Sequence, residues 1–170
     1  MAKYEDLICG ENALPATTGR AWVFGDHITR RQVLGDAYLH RSPAVACAGV
    51  MAAVDPQFAQ RVAVGDFLVA GLDFAADATR CGIAATLKAL GIAAVIARSF
   101  GPAFLRDALH AGLPAAVVEE TGAIKTGDSL RLDVEAHVVA NLSSGDRYVI
   151  RNLDDDALDM LRAGGQPHHG

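Results

Sequence analysis

The stretch "VGDFLVAGLDFAADATRCGIAATLKALGIAAVIARSFGPAFLRDALHAGLPAAVVEE", residues 64–120, decides the fold. It reads as three short apolar runs separated by two amphipathic ones. In 64–74 a Val-Gly-Asp turn feeds a strand apolar on both faces, and 92–100 and 115–120 repeat that texture. Residues 78–91 carry helical periodicity and stop at Gly91, a natural C′ position. Residues 101–114 give a second helix, with Pro102 in its first turn and Gly112 past its end. Strand, helix, strand, helix, strand with short links predicts right-handed βαβ crossovers and a parallel sheet.

The flanks read differently. Residues 20–28, "RAWVFGDHI", predict a strand ending in a Gly-Asp turn. The Ala-rich run 42–62 predicts helix, broken at Asp55-Pro56 because the residue before proline is pushed out of the helical region. After residue 129 the alternation in 130–153, interrupted by "SSGD", predicts an antiparallel hairpin. Residues 154–165 close with a helix that has an acidic first turn, Arg162 in the last, and Gly164 at the stop. The fold class is α/β, a parallel centre flanked by β structure, in a single domain spanning 1–170 with a core over about 20–165.

Composition narrows function by exclusion. A net charge of −5 argues against general nucleic-acid binding. No apolar run reaches the roughly 20 residues that a membrane span requires. Three cysteines, Cys9, Cys47 and Cys81, are too few and too scattered for a four-cysteine metal site, and they suit a reducing cytoplasm as small buried hydrophobes.

One loop carries a chemical signal. Residues 73–91 lead a small-residue turn into a helix whose start is expected at Asp77–Thr79, with Arg80 at the opening. Unpaired N–H groups and the helix dipole attract anions there. Arg80 grips a carboxylate bidentately, or else pairs with Asp73 or Asp77; both readings stand. Asp77, placed for an N-cap, competes with any bound anion: two charges 4 Å apart repel by about 4 kcal/mol at an effective dielectric near 20.

The order and spacing of several stretches resemble the small subunit of 3-isopropylmalate dehydratase, the swivelling domain of the aconitase superfamily. They are "FGDHI" with "AYL" (24–28, 37–39), "DPQFAQRVAVGDFLVAG" (55–71), "LKALGIAAVIARSF" (87–100), "AGLP" (111–114) and "GD" with "NLSSG" (127–128, 141–145). The resemblance implies a β/β/α swivelling fold and a dehydratase acting on hydroxy-polycarboxylates. It also implies a separate large subunit carrying a [4Fe-4S] cluster, so that this chain needs no cofactor of its own. In that family the small subunit contributes a Gly-Ser-Ser-Arg-Glu-like motif, whose first Ser is the proposed base and whose Arg holds substrate.

In register, those five positions are Asp77, Ala78, Thr79, Arg80 and Cys81, so only the Arg is intact. Ala78 removes no proton, and Thr79 carries the one hydroxyl left in the motif, offset by about 100° on a helix. Thr79 is thus the candidate base, or a first-turn cap. Upstream, the family's Asp-Asn-Ile-Asp-Thr-Asp run reads "DHITRR" (26–31), which retains Asp26 as a candidate substrate contact. The resemblance also points to His40 and Arg41, just after Tyr38-Leu39, as groups facing the variable end of the substrate. The alternative for these two is a solvated basic loop or a subunit contact, and Arg30-Arg31 read as interface charges. Two functions follow: a hydro-lyase subunit, or a degenerate paralogue that retains the fold with a lost or rebuilt site.

Overall fold

The computed structural model describes residues 14–38, 41–78 and 82–164. Seven strands form one sheet: β1 (Thr17–Val23), β2 (Phe67–Val69), β3 (Ala94–Ala97), β4 (Ala115–Val117), β5 (Ser129–Asp133), β6 (Val138–Asn141) and β7 (Arg147–Val149). Their order across the sheet is β4-β3-β2-β1-β5-β6-β7. The helices are α1 (Arg30–Val33), α2 (Pro43–Ala46), α3 (Phe58–Arg61), α4 (Ile83–Leu90), α5 (Pro102–Ala111) and α6 (Asp155–Arg162). No helix among the described residues is long and apolar enough to cross a membrane.

β1 explains the architecture. Its first half, Thr17–Arg20, pairs antiparallel with β5, and its second half, Ala21–Val23, pairs parallel with β2. One strand therefore serves two half-sheets and lets β5–β7 curl over a face of the parallel half. Alternation fixes what each face buries. Trp22, Leu68 and Val95 point into a core with Phe58, Leu87 and Phe104 from the crossover helices. Ala21, Phe67, Val69 and Ile96 point the other way, onto Leu130, Leu132, Val139 and the α6 residues Leu158 and Leu161. This is the expected mixed α/β class with a β/β/α layering, and the parallel centre lies where periodicity placed it.

Asp66 ties β1 to the turn before β2. Its buried carboxylate accepts from the backbone N–H of Arg20 and Ala63 and from the Trp22 indole at 2.8 Å. A buried carboxylate needs such donors to offset lost hydration. Gly19 lies so close to this turn that a Cβ there would sit 2.0 Å from the Gly65 carbonyl oxygen.

Four expectations need adjustment. β1 begins three residues before the expected strand and ends at Val23, because β5 claims its start and residue 24 onward leaves the sheet. The Ala-rich 42–62 run forms only single turns, α2, a 3₁₀ turn at Cys47–Gly49, and α3 beyond Pro56. A bridge between Leu34 and Val50 and a bond from Met51 N–H to Val33 O at 2.8 Å bend it instead. The hairpin in 130–153 is a three-strand meander with an extra turn at 134–137, where His137 takes φ of 61°. Finally, α4 starts at Ile83 behind Gly82, whose φ of 115° suits glycine, and not at Asp77–Thr79.

Candidate functional site

Three loops leave the C-terminal ends of β1, β2 and β3 on the same rim of the sheet, the place where open parallel sheets present ligands. They are laced together through the backbone. His27 N–H donates to Leu72 O and Ala75 N–H to Ile28 O, both at 2.7 Å. Phe74 N–H reaches Ser99 O at 3.0 Å, and Gly101 N–H returns to Phe74 O at 2.9 Å. Beneath them Phe74, Phe100 and Phe104 form a packed aromatic cluster, with Phe74 and Phe104 edge to face at 5.3 Å. The loops are therefore seated on a rigid base.

A cleft of about 200 Å³ opens between the first two loops, lined by His27, Ile28, Thr29, Asp73, Ala76 and Asp77. Five non-glycine residues among those described take positive φ, and three are here: His27 at 58°, Asp73 at 59° and Ala75 at 53°. Such conformations cost on the order of 1 kcal/mol or more each for non-glycine residues and gather at functional sites. The His27 Nδ1 atom lies 3.1 Å from Asp73 Oδ2, and Ser99 Oγ accepts from the Asp73 N–H at 2.7 Å.

Asp26 is exposed, and its Oδ1 accepts from Leu72 N–H at 2.8 Å, so it clamps the second loop to the first. Arg41 is exposed, with its own N–H on Tyr38 O at 3.1 Å. Thr79, Arg80 and His40 lie outside the described residues, so of the expected site residues the structure places Asp26, next to the cleft-lining His27, and Arg41. Ala78, at the position of the motif serine, is buried.

Asp77 is not the cap of α4. Its Oδ1 accepts from Arg30 N–H at 2.7 Å, at the first turn of α1, where Thr29 and Gln32 form a reciprocal capping box. Arg30 and Arg31 both turn to Asp36, at 2.8 and 3.2 Å, and the Arg30 guanidinium holds the Asp36 carboxyl below its ordinary value. The first N–H groups of α4 go to Asp107 of α5, a buried carboxylate that accepts from Gly82 at 3.1 Å and Ala84 at 2.9 Å. The N–H groups of Gly82 and Ala84 at this helix start are thus paired with a carboxylate of the protein itself.

Sequence reasoning passed over His27 and Asp107. The signal for Asp107 was present: it shares a helical face with the buried Phe104 and Ala108, where a carboxylate requires donors. His27 sat in the quoted "DHITRR" run at the place of the family's Asn.

A larger cavity, about 330 Å³, lies between α5 and α6 and is lined by Leu105, Leu109, Ala157 and Met160 with Asn152 and Asp154. Two of its polar groups are already engaged, and the third, Asp156, is an exposed carboxylate in the first turn of α6. Asn152 bonds Val117 N–H and Ala115 O along β4, and Asp154 caps α6 through Ala157 N–H. It has no convergent polar group at a strand end, so the smaller cleft is the site. Among the described residues no three His, Cys, Asp or Glu side chains are grouped to hold a metal ion.

Comparison with known proteins agrees with the fold and the motif order. The chain is 34% identical over 152 residues to the 3-isopropylmalate dehydratase small subunit of Wolinella succinogenes, covering 89% of this chain and 91% of that one. It is 32% identical over 152 residues to the methanogen homoaconitase small subunit of Methanothermobacter thermautotrophicus, covering 89% and 88%. Among solved structures, the 3-isopropylmalate dehydratase of Methanocaldococcus jannaschii superposes with a TM-score of 0.84 at 29% identity, covering 89% of this chain and 91% of that one. No family model matches the chain.

Proposed function

Because the chain belongs to the family of 3-isopropylmalate dehydratase small subunits, we propose that it is the small subunit of a hydro-lyase. Together with a separate large subunit, it removes water from a hydroxy-polycarboxylate and returns it. One observation carries the reading: the loops after parallel strands β1 and β2, braced by the loop after β3, enclose a cleft of only about 200 Å³. Small-molecule pockets usually enclose about 300–1,000 Å³. The cleft is therefore one wall of a site, and the large subunit supplies the other.

In this reading the [4Fe-4S] cluster resides in the large subunit, where it supplies an iron that acts as a Lewis acid toward the substrate's hydroxyl and carboxylate. This chain supplies cations for the remaining carboxylates. Arg80 takes one bidentately, and His40 with Arg41 receives the distal group. Thr79 offers a hydroxyl in the same motif. Asp26 acts through the loop it clamps. The complex works in the cytoplasm, where the cysteines stay reduced.

The test is anaerobic reconstitution of the chain with the large subunit of the same organism, assayed with 3-isopropylmalate and with homoaconitate. Turnover by the complex and none by either subunit alone is expected, with iron and sulfide recovered in the large subunit. A folded, cluster-loaded complex that turns over neither compound overturns the reading.

A further inference from the structure

The motif serine is replaced by Ala78, which is buried and has no proton-accepting atom. If the reaction runs, another group in the cleft handles the proton. The geometry points to His27 as that group, with Asp73 as its positioning residue, an inference that rests on the functional reading above.

Four observations converge. His27 and Asp73 both line the cleft. The imidazole Nδ1 lies 3.1 Å from Asp73 Oδ2, so a carboxylate stands beside this nitrogen, and a proton held there leaves Nε2 as the acceptor. Asp73 is itself held by the loop after β3, since its N–H donates to Ser99 Oγ at 2.7 Å. Both residues hold positive φ, 58° and 59°, although a simple turn there would be served by glycine. The pair is exposed on this chain, with side-chain exposures of 68% and 53%, on the wall the large subunit would cover. Among the described residues the other charged residue lining the cleft is Asp77, on the loop of Asp73, and its carboxylate accepts from Arg30 N–H. Next to His27 in sequence, Asp26 is held by Leu72 N–H, and the Arg30 guanidinium is turned to Asp36.

The step balances without a further reagent. Nε2 of neutral His27 takes the proton from the substrate C–H. That bond's electron pair becomes the new C=C bond, and the hydroxide on the adjacent carbon leaves. The imidazolium returns its proton to that hydroxide, giving water and neutral His27. Hydration runs the same transfers in reverse.

The test uses the reconstituted complex with His27→Gly, His27→Asn and Asp73→Asn. Glycine and asparagine both tolerate the backbone conformation at position 27, so these variants keep the fold, which circular dichroism checks. His27→Gly is expected to lower kcat by about 10²–10⁴-fold with KM little changed. Added imidazole restores part of the rate, and the histidine limb of the kcat/KM pH profile disappears. Asp73→Asn shifts that limb and alters the ¹⁵N signature of the His27 tautomer in the isolated chain. If the wild-type complex is active while His27→Gly retains its rate and pH profile, the inference falls and the functional reading stands. Loss in His27→Gly that imidazole does not rescue, with the pH limb intact in His27→Asn, also overturns it. A wild-type complex with no turnover overturns the functional reading and this inference with it.

Discussion

The Asp107 carboxylate accepts from the Ala84 backbone N–H at 2.9 Å, so the start of α4 is capped by a residue of α5, 23 positions along the chain. Its second oxygen takes Gly82 N–H at 3.1 Å. Both helices follow the loops that build the cleft, and one buried carboxylate locks them together. Asp107→Ala leaves two N–H groups without their acceptor at about 1–3 kcal/mol each, so a loss of about 2–6 kcal/mol is expected. Asp107→Asn retains one acceptor oxygen and loses about half as much. Urea melts of the two variants check the ordering.

The parallel centre was legible because its signals are local: apolar runs of strand length, and helix stops at Gly91 and Gly112, which take φ of 107° and 75°. The start of α4 was not. Asp77 looks like a cap only if its neighbours in sequence are its neighbours in space, and here its partner is Arg30, 47 residues away. The same holds for β1, whose early start is set by β5, more than 100 residues downstream. For the site, the His27–Asp73 pairing was not legible because it needs the loops after β1 and β2 side by side. Thr79, Arg80 and His40 remain sequence assignments.

Asp77 gives a second prediction. Asp77→Ala removes the acceptor for Arg30 N–H at an exposed helix start, with an expected cost of about 0.5–1 kcal/mol. The loss is local, so hydrogen exchange should quicken across Arg30–Val33 before the global melt moves. Unchanged exchange there shows that the Thr29–Gln32 capping box holds the turn alone.

Acid should weaken the seam between the meander and α6. Glu135 receives Arg162 Nε at 2.9 Å and Leu14 N–H at 2.9 Å, and the Arg162 hydrogen bond holds its carboxyl below the ordinary value near 4.5. A carboxyl lowered on folding adds stability above its unfolded value and loses it as pH falls through its folded one. Stability should therefore drop from about pH 4.5 downward. Glu135→Gln should be less stable than wild type at neutral pH, with the difference shrinking as pH falls through that window. Parallel curves in chemical melts between pH 3 and 7 (roughly the span over which a carboxylate titrates) show that the pair contributes nothing.

Two glycines test how rigidly the cleft is seated, because what each added methyl would meet differs in kind. At Gly71 a Cβ would fall 1.7 Å from Asp26 Oδ1, the far end of a side chain that can swing away. At Gly101 it would fall 2.5 Å from the Ala75 carbonyl oxygen and 2.7 Å from Ala76 Cα, backbone of the strained loop itself. Neither glycine has positive φ, so sterics alone separate them. Gly71→Ala should cost about 1 kcal/mol, the bond from Leu72 N–H to Asp26, and add little to Asp26→Ala in a double-mutant cycle. Gly101→Ala should cost more, about 1–3 kcal/mol, since it displaces Ala75 and Ala76 and with them the wall beside Asp73. In the reconstituted complex Gly101→Ala should therefore lower activity further than Gly71→Ala does. Equal losses in both show that the loop after β2 moves as freely as the Asp26 side chain, and that the aromatic base beneath it does not fix the cleft.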